Sequence, residues 1–261
     1  MPIGVFDSGV GGLTVFRALE RALPSRPLIY LGDTARVPYG PRSADTVRRY
    51  SIEAGRFLKQ QGIELLVVAC NTASAVAIPA LQEDLDLPVM GVIEPGARRA
   101  VELSKTGNIG VIGTRQTVAS DAYVRAIRRV SADARVVAQA CPLFVPLAEE
   151  GWIDDDVARA VAERYLQPLT EAGVDTLVLG CTHYPLLRGV IGAAMGWDVR
   201  LVDSAEAVAS EVCRSLEETP GGASRGTDRR FFVTDIPAPF QAVAERFLGR
   251  PLDHLERARI D

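Results

Sequence analysis

The chain has 261 residues, of which 48% are hydrophobic and 24% are charged, and its formal net charge is -4 at pH 7. A globular protein of this length can bury a sizeable core, and the composition excludes a disordered or fibrous chain. Because acidic residues outnumber basic ones, the surface offers no field that would gather nucleic acid or an anionic membrane, so we expect neither as a partner.

Short apolar runs typical of strands alternate with helical patterns along the whole chain. The predicted strands are residues 3–6, 28–31, 65–69, 89–92, 109–112, 136–138, 176–179, 200–202 and 230–233. Two buried helix faces are predicted from helical spacing, namely Val47, Ser51, Ala54 and Leu58, and then Val157, Val161, Tyr165 and Leu169. Residues 219–226 have turn chemistry and predict a surface loop. The alternation indicates an α/β fold with parallel sheets.

The two halves of the chain echo each other. Ile-Gly-Val-Phe-Asp-Ser at residues 3–8 resembles Ile-Gly-Val-Ile-Gly-Thr at 109–114, and Leu-Leu-Val-Val-Ala-Cys-Asn-Thr at 65–72 resembles Thr-Leu-Val-Leu-Gly-Cys-Thr-His at 176–183. Two echoes at nearly the same spacing and in the same order indicate duplicated α/β units. We therefore predict two similar doubly wound parallel-sheet domains related by an internal repeat.

Each echoed strand ends in small polar residues that begin a helix, which is where open parallel sheets bind ligands. Residues in such positions are Asp7, Ser8, Cys70, Asn71, Thr72, Thr114, Cys181, Thr182 and His183. If the two units face each other, Cys70 and Cys181 face each other as well. Two thiols on opposite sides of a small substrate could remove a proton from one face and return one to the other, as amino-acid racemisation requires.

The polar neighbours of the cysteines suit an amino-acid substrate. Hydroxyl and amide groups, including that of Thr117, could bind carboxylates without a fixed positive charge. Asp7 could either meet an ammonium group or hold a proton beside Cys70, and His183 could assist proton movement near Cys181. The sequence leaves these roles of Asp7 open.

Cofactor chemistry fits the sequence less well. Lysine occurs only at Lys59, on the polar side of a helix, and at Lys105, at a helix end, so neither suits a buried Schiff base to pyridoxal phosphate. The glycines of residues 9–14 lack the third small residue of a dinucleotide fingerprint, which also removes Asp33 as a ribose ligand. They predict a tight turn near a small ligand instead.

A zinc site built from Cys70, Cys181 and His183 is the remaining metal alternative, but its Cys-x-His spacing matches no common structural site. We expect no metal and no cofactor. The other two cysteines, Cys141 and Cys213, fit buried core thiols, because a free cysteine usually behaves as a small hydrophobe.

Seven segments together resemble the glutamate racemases, bacterial enzymes that make D-glutamate for peptidoglycan. They are IGVFDSGVGGLTV at 3–15, GDTARVPYG at 32–40, ACNTASA at 69–75, GVIEPGA at 91–97, CPLFVPLAEEG at 141–151, LGCTHYPLL at 179–187 and VDSA at 202–205. The resemblance implies a cofactor-independent isomerase with two α/β domains that enclose glutamate at their interface. Residues 1–94 and 205–261 would form the first domain and residues 95–204 the second.

The same resemblance implies a role for each matching residue. Cys70 would act on D-glutamate with the support of Asp7, and Cys181 would act on L-glutamate. Glu149 and His183 would support Cys181. The substrate would be held by Asp7, Ser8, Tyr39, Gly40, Asn71, Thr72, Thr114, Thr117, Thr182 and His183.

Two rival functions stay open. The first is a two-cysteine racemase for aspartate or hydantoins, although Asn71-Thr72 and the Thr-His-Tyr-Pro run from Thr182 favour glutamate. The second is a binding protein, either an amino-acid sensor or a partner that restrains DNA gyrase. No basic-then-apolar leader precedes Ile3, and no apolar run approaches the roughly 20 residues of a bilayer span. We therefore expect a cytoplasmic enzyme that binds a small molecule and forms a homodimer.

Overall fold

The computed structural model describes residues 1–217, 228–236 and 240–260, so the loop predicted at 219–226 lies outside the described residues. Within the described residues, the strands form two separate parallel sheets. The strands are β1 (Ile3–Asp7), β2 (Leu28–Gly32), β3 (Leu65–Val68), β4 (Val89–Gly91), β5 (Asn108–Gly113), β6 (Arg135–Ala140), β7 (Thr176–Gly180), β8 (Arg200–Asp203), β9 (Arg229–Val233) and β10 (Leu255–Arg257).

Helices connect the parallel strands and cover the sheets. They are α1 (Leu13–Ala22), α2 (Ala44–Gln60), α3 (Asn71–Val76), α4 (Ile78–Leu85), α5 (Ile93–Leu103), α6 (Arg115–Ala119), α7 (Ala122–Val130), α8 (Phe144–Glu150), α9 (Asp156–Glu171), α10 (Arg188–Met195), α11 (Ser204–Ser215) and α12 (Phe240–Leu248), with a 3-10 turn at Tyr184–Leu187. In the part of the chain that the structure describes, no helix has both the length and the apolarity that crossing a bilayer needs.

The strand order confirms the duplicated units. The first sheet runs β10-β9-β2-β1-β3-β4 and the second runs β6-β5-β7-β8. Ile3 of β1 lies opposite Leu65 of β3, and Ile109 of β5 lies opposite Thr176 of β7. These are the residues that the sequence echo aligns, so β2-β1-β3-β4 corresponds to β6-β5-β7-β8. Strands β9 and β10 then extend the first sheet beyond β2.

The chain passes between the sheets twice. Helix α5 leads from β4 to β5, and α11 leads from β8 back to β9. The two helices pack against each other, and Arg98 of α5 forms an ion pair with Glu211 of α11 at 2.9 Å. The predicted domain boundaries, after residues 94 and 204, fall in the first turns of these helices and stay a prediction.

The two halves share a buried apolar cluster. It includes Tyr30 and Phe231 of the first sheet together with Phe144 and Leu179 of the second half. Strands β1, β2, β3 and β7 are buried along their whole length, as expected for parallel strands covered on both faces. The strand ends that carry the candidate site therefore stand on a rigid frame.

Local signals fix the starts of two long helices. At the start of α2, the Ser43 hydroxyl accepts a hydrogen bond from the N–H of Thr46 at 3.3 Å, and at the start of α9, Asp155 accepts one from the N–H of Ala158 at 2.8 Å. The predicted apolar face of α2 is buried as expected.

Of the predicted face of α9, Leu169 is buried as expected, but the other three residues lie one position away from the buried stripe. Val157 is 49% exposed, whereas Val161 and Tyr165 are half-buried. The buried stripe consists of Ala158, Ala162, Leu166 and Leu169. Helix α9 packs closely against α10, and such tertiary packing, which the spacing does not reveal, decides which side of the helix is buried.

Candidate active site

The two cysteines occupy equivalent places at the carboxyl ends of β3 and β7. Cys70 is the residue before α3 and is 5% exposed, and Cys181 follows β7 and is 6% exposed. An open groove of about 980 Å³ lies elsewhere, among α5, α10 and α11, and none of the predicted site residues lines it. Both cysteines are largely shielded from solvent in this structure.

The surroundings of Cys70 are hydroxyl and carboxylate groups. Its thiol donates to Ser8 Oγ at 3.4 Å, and the neighbouring Asp7 carboxylate accepts the N–H of Gly9 at 2.9 Å. Burial, followed by the charge of Asp7, raises the pKa of the Cys70 thiol to about 12. Burial also raises the pKa of Asp7, against the lowering effects of the Gly9 N–H and of the charge on His183. We therefore expect Cys70 to hold its proton.

The surroundings of Cys181 are cationic instead. Its sulfur lies 3.8 Å from Nδ1 of His183, whose Nε2 lies 2.9 Å from Oε1 of Glu149. Burial lowers the pKa of His183, but its hydrogen bonds to Cys181 and Glu149 and their charges outweigh burial and raise it to about 10. At neutral pH we therefore expect a protonated imidazole between the sulfur and the carboxylate, so that Cys181, His183 and Glu149 form a relay.

The two strand-end regions touch directly. A Cβ atom at Gly11 would lie 2.2 Å from Thr182 Oγ1 and 2.5 Å from His183 Nδ1, so only glycine fits there. The Thr14 hydroxyl is 3.2 Å from the carbonyl oxygen of Thr182. The glycine-rich turn therefore brings the first half against the second half, in addition to any approach it makes to a ligand.

Three threonine hydroxyls form a second contact between the halves. Thr72 Oγ1 lies 3.0 Å from Thr114 Oγ1 and 3.4 Å from Thr117 Oγ1, and the last two are 3.0 Å apart. Gly40 lies against the side chain of Thr114, and its carbonyl accepts the N–H of Gln116 at 3.2 Å. The structure thus brings predicted residues of both halves into one cluster.

Two buried polar atoms in the site have no hydrogen-bond partner among the described residues, Oδ1 of Asp7 and Nδ2 of Asn71. Asp7 is 1% exposed and Asn71 is 2% exposed. The other side-chain atom of Asn71, Oδ1, accepts the Tyr123 hydroxyl at 2.7 Å, so its amide group is held in one orientation. An unpaired buried acceptor and donor are costly unless a ligand satisfies them.

The Tyr39 hydroxyl is engaged by a carboxylate outside the predicted site. It donates to Oδ2 of Asp33 at 2.5 Å, and Asp33 also accepts Nε of Arg36 at 2.7 Å and the Thr234 hydroxyl at 2.9 Å. Asp33, which is fully buried, is occupied by these partners and anchors the segment that leads to Gly40.

Several residues of the site carried no usable signal in the sequence. Tyr123 and Thr14 lie in helices whose patterns predict ordinary packing, as do Arg246 and Phe247 of α12, which contact Glu149 and His183. The glycine at Gly11 was visible, but its contact with the opposite half depends on tertiary structure. The predicted roles of the site residues stay predictions, while their proximity is a property of the fold.

Comparisons with known proteins agree with this geometry. A family model described as Asp/Glu/Hydantoin racemase matches residues 3–212. A protein named glutamate racemase from Geobacter metallireducens is 55% identical over 99% of this chain and 97% of its own length. Among solved structures, a glutamate racemase isoform from Bacillus anthracis has a TM-score of 0.92 and 42% identity, covering 98% of this chain and 97% of that one. A glutamate racemase from Francisella tularensis in complex with D-glutamate has a TM-score of 0.92 and 36% identity, covering 100% and 98%.

Proposed function

This chain belongs to the Asp/Glu/hydantoin racemase family, and from that premise we propose that it is a glutamate racemase, an isomerase that interconverts L- and D-glutamate without a cofactor. The observation that carries the proposal is a pair of buried thiols at equivalent strand ends of two sheets whose loops contact each other. The D-glutamate complex of the Francisella tularensis relative supports the choice of substrate. The D-glutamate that the reaction forms would be used for peptidoglycan synthesis.

The reaction removes one proton from Cα and adds another proton to the opposite face of the same carbon. With L-glutamate bound, the Cys181 thiolate takes the Cα proton, and the electron pair left on the substrate is stabilised by its carboxylate. The Cys70 thiol then donates its proton to the opposite face of Cα, which yields D-glutamate. The reverse reaction exchanges the two roles, so no redox partner or electron sink is consumed.

The unpaired polar atoms give each end of glutamate a partner. The free Asp7 oxygen suits the ammonium group, and Nδ2 of Asn71 suits a carboxylate. The hydroxyls of Thr72, Thr114 and Thr117 suit a carboxylate as well. Ser8, Tyr39, Gly40, Thr182 and His183 complete the proposed binding set. The site lacks a fixed arginine clamp among these residues, so hydroxyl, amide and main-chain donors must supply the binding.

The proposal includes a location and an assembly. We place the enzyme in the cytoplasm, where its free thiols would stay reduced. A homodimer is supported by Leu143 and Trp152, which are 51% and 50% exposed beside α8 and offer apolar surface to a second copy. Sedimentation equilibrium of the wild-type protein tests this assembly.

The decisive experiment incubates metal-free, pyridoxal-free protein with L- or D-glutamate in heavy water. We expect the optical rotation to decay to zero from either side while deuterium enters Cα. No exchange in either direction would exclude a racemase and favour the binding-protein alternative. Much faster racemisation of aspartate or a hydantoin than of glutamate would instead support the rival substrates.

A further inference from the structure

The imidazole of His183 is held by an aromatic ring from a distant part of the chain. The Phe247 ring packs edge-to-face on it, with the ring centroids 4.9 Å apart and an interplanar angle of 73°. Phe247 is fully buried, and it lies in α12, which follows β9 of the first sheet. An edge-to-face contact restrains the tilt of the imidazole plane, which decides whether Nδ1 is directed at the Cys181 sulfur.

The preceding residue of α12 holds the other member of the relay. Arg246 Nη1 donates to the carbonyl oxygen of Glu149 at 2.5 Å and to that of Ala148 at 3.4 Å. Its guanidinium also lies next to Gly151, the residue that ends α8 and has a positive φ of 81°. A cation that binds the free carbonyls at a helix end stabilises the last turn. That turn presents the Glu149 side chain to His183.

Helix α12 itself is anchored in the first half. Its buried residues Phe240, Ala244, Phe247 and Leu248 join the shared apolar cluster, and the helix packs on α1. The relay is made of residues from the second half, but two adjacent side chains of the first half contact it. Its geometry therefore depends on the two halves being together.

We propose that Arg246 and Phe247 are positioning residues that hold the Glu149–His183 pair in line with the Cys181 sulfur. The inference rests on the proposed function, because it assigns these residues to the proton transfer at one thiol only. Among the described residues, neither side chain has a hydrogen bond or ring contact with Cys70 or with its hydrogen-bond partner Ser8. Their loss should therefore impair one half of the reaction.

The test uses single-cysteine backgrounds in which each thiol works alone. Cys70→Ser leaves Cys181 to exchange the Cα proton of L-glutamate with heavy water, and Cys181→Ser leaves Cys70 to exchange that of D-glutamate. Adding Phe247→Leu or Arg246→Gln should slow the first exchange by about ten- to a hundredfold and leave the second unchanged, because misplacing a catalytic group costs this much. Arg246→Lys, which keeps the cation, should recover part of the rate.

Matched controls come from the same segment of the chain. Phe240→Leu alters a buried phenylalanine of α12 that does not contact His183, and Arg250→Gln alters an arginine that pairs with Glu20 instead. Both should leave the two exchange rates unchanged. Urea unfolding of every variant separates a loss of folding from a loss of alignment.

A spectroscopic reading is independent of turnover. The chain has two histidines, His183 and the exposed His254, so imidazole NMR signals can be assigned by elimination. Phe247→Leu should shift the His183 signals and leave those of His254 in place. Equal slowing of both exchanges, or unshifted His183 signals with unchanged exchange, would overturn the inference alone. No exchange in either parent cysteine variant would overturn the proposed function and this inference with it.

Discussion

The two cysteine sites are alike in backbone and opposite in chemistry. Cys70 and Cys181 end equivalent strands, yet the first lies beside the Asp7 carboxylate and the second beside the His183 imidazole. Burial, with Asp7, raises the pKa of the Cys70 thiol to about 12, and the hydrogen bonds of His183 raise the pKa of that imidazole to about 10.

The difference teaches that the repeat fixes where the thiols lie, whereas their neighbours fix which one carries a proton at rest. A racemase needs one base and one acid at the same moment. Unlike neighbours provide that asymmetry without any change in the frame. We therefore expect Cys70 to begin as the acid.

The largest expected effect comes from removing one of the two thiols. Cys70→Ser and Cys181→Ser should each abolish racemisation, because the remaining thiol can move a proton on only one face. Cys181→Ser should still exchange the Cα proton of D-glutamate, and Cys70→Ser that of L-glutamate, as measured by proton NMR in heavy water. Cys141→Ser and Cys213→Ser, at buried thiols outside the pair, should cost stability at most. Racemisation by Cys181→Ser would contradict the two-base mechanism.

The next largest effect is expected from a substitution that forces the two cysteine sites apart and leaves both thiols in place. Gly11→Ala places a Cβ atom 2.2 Å from Thr182 Oγ1 and 2.5 Å from His183 Nδ1, so the halves must move apart. We expect kcat/KM to fall about a hundredfold, since small misplacements of catalytic groups are that costly. Gly189→Ala is the matched control, because no atom lies within 4 Å of the added carbon. Normal kinetics for Gly11→Ala would mean that the contact is not needed for catalysis.

A pH titration sharpens the contrast between the sites. The pKa of His183 is raised from 6.5 to about 10, so its proton stabilises the folded protein fully below pH 6.5, and that contribution is lost as the pH rises through about 10. His183, the cation beside Cys181, loses its charge as the pH rises through about 10, so we expect kcat/KM to decline around that pH. His183→Gln should be slow at all pH values and lack this limb. His254→Gln, at an exposed histidine, should keep the wild-type profile; a retained limb in His183→Gln would assign it to another group.

The smallest expected effect concerns two carboxylates at the amino ends of β3 and β7, the ends opposite to those that carry the cysteines. Glu64 and Asp175 precede β3 and β7 at equivalent positions. Glu64 pairs with Arg26 at 2.6 Å, whereas Asp175 accepts hydrogen bonds from Ser104 and from the main chain and hydroxyl of Thr106. Burial raises the pKa of Asp175, but these hydrogen bonds outweigh burial and lower it to about 2. We expect Asp175→Asn to cost about 1–2 kcal/mol and Glu64→Gln about 0.5 kcal/mol in urea unfolding at neutral pH.

The loss of stability caused by Asp175→Asn should become smaller as the pH falls. A lowered pKa means that the contribution of Asp175 is present above its ordinary value of 3.8 and is lost as the pH falls through about 2. The gap between wild type and Asp175→Asn should therefore narrow in acid. A gap that stays constant down to pH 2 would assign the cost to shape instead of charge.

Much of the frame could be predicted because its signals are local. Apolar runs that end in small polar residues mark the strands, and their echo places Cys70 and Cys181 in register. Strand β10 was missed, because Leu255–Arg257 has no apolar run and becomes a strand only by pairing with β9 at an edge. The face of α9 was predicted correctly only at Leu169 for a related reason, since the packing of α9 on α10 decides which side of the helix is buried.

Contacts between distant segments could not be predicted from spacing. Phe240, Ala244 and Phe247 have the spacing of an ordinary core helix, so nothing local indicates that one ring contacts His183. Asp33 invites a ribose ligand by position alone, but Thr234, from far along the chain, and Tyr39 occupy its carboxylate. Tertiary partners decide such roles after the local pattern has fixed the elements.

The return of the chain to its first sheet also sets the order of assembly during synthesis. Once Asp203 has been made, the second sheet has all four strands, but the edge of β2 from Leu28 to Gly32 still lacks its partner β9. We expect a released fragment of residues 1–203 to protect its second half from brief proteolysis and to be cut near β2. The strands that complete the first sheet are therefore made last, after every residue of the proposed site.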